Sequence, residues 1–433
     1  MYGLYSVLLA FGLLLSLPYW LVQWLRHDKY RAGLRERFGR VPARLPDGSA
    51  LRVLWVHAVS VGELLAVSGL IVELKRAFPQ HRVFISTTTA TGQTLAQARF
   101  GRDSVFYFPL DFAFAIRPYL RRLRPELVVI AETEFWPNFL RLAHDGGARL
   151  AIVNARISDR SFPGYRRWRQ VLRRLLTPID LFLAQTEEDR QRLIKIGADA
   201  DRVQVSGNLK FDVAVPPDPP IVESLRNAFQ RAGAGPVLVC GSTVDGEEKM
   251  LLDAFATITA SHSHATLILA PRHPERFGEV VQLLEKSAIA FQLRSAWNGE
   301  APVGGVLLLD SVGELACIYG LATLAFVGGS LVPRGGHNIL EPARYGVPIL
   351  VGPHTENFRD IINLFRGNNA VRVVAPSELA TTFLELLSND DERKSLGARG
   401  SETLRAHSGA TQATLRALNT LLGSSSRSAS QSR

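Results

Sequence analysis

Glu63 closes the run His57-Ala58-Val59-Ser60-Val61-Gly62-Glu63 just after a short apolar segment, where a carboxylate could serve as general base toward a hydroxyl. The spacing from Ser60 to Glu63 is also that of a helix capping box, so a structural role is written in the same residues. Glu132 and Glu134, in Glu132-Thr133-Glu134-Phe135-Trp136-Pro137-Asn138, close another apolar run. A strand interior does not bury two unpaired carboxylates, so at least one of them should face outward beside a cation. Lys210, in Gly207-Asn208-Leu209-Lys210-Phe211-Asp212, is the candidate partner, an ordinary surface lysine being the alternative. Arg272 follows Leu267-Ile268-Leu269-Ala270-Pro271, and a planar cation at a strand end suits a phosphate or a carboxylate. Val312-Gly313-Glu314 could line a base pocket or cap a helix.

The stretch Gly328-Gly329-Ser330-Leu331-Val332-Pro333-Arg334-Gly335-Gly336-His337-Asn338-Ile339-Leu340-Glu341 reads as strand end, glycine-rich turn and helix start. Backbone N–H groups in such a turn can approach an anion, and Glu341 could accept hydrogen bonds from a ribose. A plain turn made of turn residues is the alternative.

These groups need strands that end beside them. Short apolar runs alternate with helix-length segments at 53–56, 83–85, 105–108, 127–130, 150–153 and 181–183, stop at the proline-rich 216–220, then restart at 237–239, 266–269, 306–309, 324–327, 348–351 and 371–374. That alternation predicts parallel strands covered on both faces, hence two doubly wound α/β domains in tandem. The expected domains are 26–215 and 221–423, with a linker at 216–220 and a disordered serine-rich tail at 424–433. Ligands of such sheets bind beyond the carboxyl ends of the strands, so a cleft between the two sets of ends is the expected site. Cys240 and Cys317 are the only cysteines and read as reduced core residues. There is no Gly-x-x-x-x-Gly-Lys-Ser/Thr and no Gly-x-Gly-x-x-Gly after the first strand, which argues against P-loop and dinucleotide chemistry. Asp199-Ala200-Asp201 lies in a turn after an amphipathic helix and reads as surface acid, so no metal and no separate cofactor is expected.

The first charged side chain is Arg26, and Leu4 to Leu25 is mostly apolar. Residues 1–25 are therefore expected to form a single-pass membrane anchor, an amphipathic hairpin lying in one leaflet being the alternative. Basic residues follow that segment, which would leave the body on the cytoplasmic side. The net charge of +10 and the arginine-rich run Arg166 to Arg174, with Trp168, Leu172 and Leu175 available to an apolar side, point to anionic membrane lipid. No zinc-finger or aromatic RNA-binding pattern favours nucleic acid.

Taken together, the segments at 57–63, 132–138, 154–161, 207–212, 270–277 and 328–341 resemble the 3-deoxy-D-manno-octulosonic acid (Kdo) transferases of Gram-negative lipopolysaccharide assembly. The resemblance implies a GT-B fold of two Rossmann-like domains and inverting transfer of Kdo from CMP-Kdo to a lipid A precursor at the bacterial inner membrane. It implies Glu63 as general base and Glu132 and Lys210 as stabilisers of the transition state. For CMP it implies Pro271 and Arg272, Val312, Gly313 and Glu314, and Asn338, Ile339, Leu340 and Glu341. Ile339 stands where the family commonly has proline, and Val244-Asp245 follow Gly241-Ser242-Thr243 where His-Glu is usual. Other readings of the same chain are a GT-B enzyme using a UDP-sugar on another lipid-linked acceptor, and a catalytically silent adaptor that binds lipid.

Overall fold

The computed structural model describes residues 2–26, 33–47, 51–212 and 219–430, without the side chains of 17–26 and 424–430. The chain forms two compact units, Met1–Asp212 with Ser408–Arg433, and Val213–His407.

In the first unit, β1 (Arg52–His57), β2 (His81–Thr87), β3 (Val105–Tyr107), β4 (Leu127–Ala131), β5 (Arg149–Ala155), β6 (Leu181–Ala184) and β7 (Val203–Val205) form one sheet. Their order is β3-β2-β1-β4-β5-β6-β7, and neighbouring strands run parallel. Alternate side chains of β1 enter opposite cores: Trp55 joins Phe106 and Phe139 on one face, and Val56 joins Leu64 and Leu70 on the other. This double burial is why the strands read as unbroken apolar runs. The apolar pattern misses only β7, a three-residue edge strand whose Gln204 and Val205 are exposed.

The second unit repeats the plan with β8 (Val237–Thr243), β9 (Thr266–Pro271), β10 (Phe291–Leu293), β11 (Val306–Leu308), β12 (Leu324–Val327), β13 (Ile349–Val351) and β14 (Arg372–Val373), in the order β10-β11-β9-β8-β12-β13-β14. The short, half-buried edge strand β10 escapes the apolar pattern for the same reason as β7. Strand order reverses between β1 and β4 in one sheet and between β8 and β12 in the other. Each reversal opens a crevice at the carboxyl ends of the strands.

Helix Ala410–Ser430 belongs to the first unit, not to the domain that precedes it in sequence. Leu418 and Leu422 pack into the same core as Leu64 and Leu70. Asp212 holds the returning chain by accepting from the backbone N–H of Gly409 at 2.6 Å and from that of Thr411. The helix runs on to Ser430 through most of the stretch expected to be a disordered tail, and 431–433 lie outside the described residues. Most of the 216–220 linker also lies outside them, and Pro220 starts helix Pro220–Ala232, a position where its missing N–H costs nothing.

Two expectations about the surface fail. Among the described residues no helix is long and apolar enough to cross a membrane, which overturns the single-pass anchor and the inner-membrane placement drawn from it. Helix Tyr2–Arg26 is seated on the protein by polar contacts instead: the Ser6 hydroxyl accepts from Asn138 Nδ2 at 3.0 Å, and the Arg141 guanidinium lies 4.7 Å from the Tyr2 ring centre. The arginine-rich run is likewise not one amphipathic helix. It breaks at Trp168 into Phe162–Arg167 and Arg169–Leu176. Leu172 and Leu175 are buried in the unit's own core while Trp168 is exposed, so the three do not share an outward apolar side.

Candidate active site

Glu63 lies at the crevice between β1 and β4, in the first turn of helix Val61–Ala77. The capping reading of its spacing is realised. The Ser60 hydroxyl accepts from the Glu63 backbone N–H at 3.3 Å and donates to Glu63 Oε1 at 3.0 Å, while Val59 N–H donates to Oε2 at 2.8 Å. Burial, then the charges of Glu132 and Glu134, push the Glu63 carboxyl up to about 7 against the pull of those Val59 and Ser60 bonds. The cap fixes the carboxylate in place, and its surroundings make it basic near neutral pH.

Glu132 leaves β4 with φ 55, in the left-handed region that non-glycine residues rarely adopt, while its N–H donates to Val153 O at 2.9 Å. Its Oε1 lies 3.6 Å from Lys210 Nζ, the partner the sequence suggests. Lys210 is held from β5: Asn154, itself at φ 55, accepts Leu209 N–H through Oδ1 at 3.0 Å, and Asn208 Oδ1 accepts Lys210 N–H at 3.0 Å. Glu134 is half-buried, and burial followed by the charge of Glu132 raises its carboxyl above the usual range. Three carboxylates thus act on one another, and one of them, Glu132, is paired with Lys210. His57 has no part in this cluster. Its ring stacks on Phe108 at 3.9 Å, Nδ1 lies 2.9 Å from the Ser86 hydroxyl, and burial pushes it down to about 3.

In the second unit Pro271 ends β9, and the exposed Arg272 follows it, its N–H donating to Thr243 O at 2.9 Å. The Arg272 guanidinium acts on both His337 and Glu341. Burial, then Arg272 and His273, push His337 down to about 4, so this imidazole is neutral at physiological pH. Burial raises the Glu341 carboxyl, opposed by Asn338 and Arg272. Asn338 bridges the segment: Nδ2 donates to Glu341 Oε1 at 3.3 Å, and Oδ1 accepts Leu340 N–H at 3.1 Å. Ile339 and Leu340 are buried core residues, leaving Asn338 and Glu341 as the polar side chains of this stretch. Val312 is 78% exposed and Gly313 adopts φ 93. The Glu314 carboxylate is already gripped by Arg294 at 3.0 and 2.9 Å and by the Ser311 hydroxyl at 2.5 Å.

The glycine-rich turn after β12 departs from its expected form. Helix Leu340–Arg344 has five residues, too few to build a useful dipole. The N–H groups of Gly329, Ser330 and Leu331, which suggest an anion seat, all donate to the carboxylate of Glu247. Among the described residues no group of three or more His, Cys, Asp or Glu is arranged to hold a metal ion.

A family model described as 3-deoxy-D-manno-octulosonic-acid transferase (kdotransferase) matches residues 32–213. The 3-deoxy-D-manno-octulosonic acid transferase of Haemophilus influenzae is 34% identical over 396 residues, covering 90% of this chain and 91% of that one. The chain belongs to the Kdo transferase family. The Bordetella pertussis transferase is 38% identical over 424 residues, covering 93% of this chain and 96% of that one. Among solved structures, UDP-GlcNAc 2-epimerase from Neisseria meningitidis superposes with a TM-score of 0.53 at 14% identity, covering 86% of this chain and all of that one; this likeness concerns the fold alone.

Three side chains shape this Kdo transferase's candidate site through partners that the sequence does not show. Asn154 and Arg294 act through partners 55 and 20 residues away, and Glu247 through the turn after β12, more than 80 residues on. The one available hint was the pair Glu247 and Glu248, both acidic at the start of a helix that proves buried there.

Proposed function

We propose that this Kdo transferase keeps its base in the first unit and its nucleotide-holding groups in the second. The chain moves Kdo from CMP-Kdo to a lipid A-type acceptor. In the proposed step Glu63 takes the proton of the acceptor hydroxyl as that oxygen attacks the anomeric carbon of Kdo. The bond from that carbon to the phosphate oxygen breaks, CMP leaves as a phosphate monoester, and the anomeric centre inverts. The observation that carries this reading is a carboxyl held by two hydrogen bonds at the strand-order reversal and pushed up to about 7, the range in which a carboxylate is an effective base at neutral pH.

Glu132 and Lys210 stabilise the transition state as a charged pair, with the left-handed backbone at Glu132 aiming its side chain. Arg272 meets the phosphate with a planar array of donors. Asn338 and Glu341 meet the ribose, and Pro271, Val312 and Gly313 bound the base, with Glu314 shaping that wall through its pairing to Arg294. Anionic lipid is the further partner proposed for the exposed arginines Arg166 to Arg174 beside the exposed Trp168. The test incubates the protein with CMP-Kdo and tetraacylated lipid A precursor and weighs the product. A mass gain in Kdo units is expected. Protection of the fold by UDP but not by CMP would instead assign a different donor.

A further inference from the structure

Glu247 fills the crevice in which a doubly wound sheet ordinarily receives phosphate. It follows β8, the turn Gly328 to Leu331 follows β12, and the strand order reverses between these two strands, the place where such sheets seat a pyrophosphate on backbone N–H groups. The side chain is completely buried. Oε1 accepts from Ser330 and Leu331 N–H, both at 2.8 Å, and Oε2 accepts from Gly329 N–H at 2.7 Å and Val244 N–H at 3.0 Å. Burial raises this carboxyl above the usual range, opposed by the same four N–H groups; with two of them aimed at each oxygen, the geometry accommodates the ionised form. The turn is built around this carboxylate. A Cβ at Gly328 would lie 2.7 Å from Oε2. Ser330 pins the other side, donating from Oγ to Val327 O at 2.6 Å and accepting Gly352 N–H at 2.8 Å.

We propose that Glu247 is a specificity-determining residue, a built-in anion that occupies the second-phosphate seat and restricts the second unit to donors carrying a single phosphate. This rests on the donor-site reading given above. A nucleoside diphosphate would bring its outer phosphate toward a buried carboxylate whose N–H donors are already used. A nucleoside monophosphate sugar needs only Arg272 and the Asn338 to Glu341 segment. Rejection by a fixed like charge in a poorly solvated crevice is an effective way to discriminate between ligands.

The test measures CMP and CDP binding calorimetrically on the full chain, as wild type, Glu247→Gln and Glu247→Ala. The wild type should bind CMP more tightly than CDP, and both variants should raise the CDP-to-CMP affinity ratio by about tenfold or more. In Glu247→Ala, added acetate refills the seat and should return the ratio toward the wild-type value, whereas Glu247→Gln, whose amide still fills the space, should not respond. Equal CMP and CDP affinity in the wild type overturns the proposal without any variant. So does an unchanged ratio in Glu247→Gln, which decides the matter alone if Glu247→Ala does not fold. The donor-site reading has its own check: unchanged CMP affinity in Arg272→Ala would remove that reading, while the ratio in the Glu247 variants still reports whether the seat excludes a second phosphate.

Discussion

A carboxyl that both caps a helix and titrates near neutrality makes Glu63 the residue most open to test. Glu63→Ala should lower kcat by roughly 10²- to 10⁴-fold while CMP affinity stays within about twofold, measured by transfer rate and calorimetry. Because the base must be unprotonated, the rate should fall as pH drops below about 7. Glu134→Gln removes one of the like charges that raise Glu63, so the acid limb should move to lower pH; a limb that stays in place would show that Glu134 does not act on the base. The same shift has a sign for stability. The folded-state carboxyl binds its proton more tightly than the unfolded one, so its contribution to stability is lost as pH rises from the ordinary glutamate range through about 7. Glu63→Gln, which can keep the cap, should therefore melt higher than the wild type at pH 8 and lose that advantage below about pH 4.5, as read by thermal denaturation.

At the scale of elements, the position of Lys210 depends on the end of β5. Asn154→Ala leaves the Leu209 N–H without its buried acceptor, at a cost of about 1–3 kcal/mol, and frees the turn that carries Lys210. The expected outcome is a lower melting temperature together with a fall in kcat larger than any change in KM for CMP-Kdo. Lys210 and Glu132 are each about one-third exposed at 3.6 Å, so the pair itself adds little to stability. Lys210→Met should accordingly lower kcat with little change in melting temperature. On the other sheet, Arg294→Ala would release Glu314 from its two-pronged grip, and weaker CMP binding should follow from a loosened Val312 to Glu314 turn.

At the scale of the whole molecule, the chain leaves its first unit at Asp212 and returns to it at Ser408. Truncation after His407 strips Leu418 and Leu422 from a core they share with Leu64 and Leu70, each worth about 1.5–3 kcal/mol. It also leaves Asp212 without its Gly409 and Thr411 donors. The shortened protein should show an early unfolding transition from the first unit while the transition of the second unit stays close to its full-length temperature, seen as two steps in calorimetry.

The α/β class and twelve of the fourteen strands among the described residues are legible in the amino-acid order, because a parallel strand buried on both faces is an unbroken apolar run whatever its neighbours are. The candidate acids and cations were legible as well, since strand ends with unusual polar residues stand out locally. What only the tertiary structure decided depends on partners distant in the chain. The Glu63 spacing did not reveal that capping and basicity coexist, because the basicity comes from burial and from Glu132 and Glu134 across a strand-order reversal. The long apolar N-terminal segment could not disclose that its helix is seated on Asn138 and Arg141. The turn after β12 advertised an empty anion seat, and the fold had already filled it with Glu247. Local periodicity is set by which faces are buried, and so it is written in the sequence. Charge state and the occupant of a backbone cradle are set by atoms brought together from far along the chain, and they exist only once it has folded.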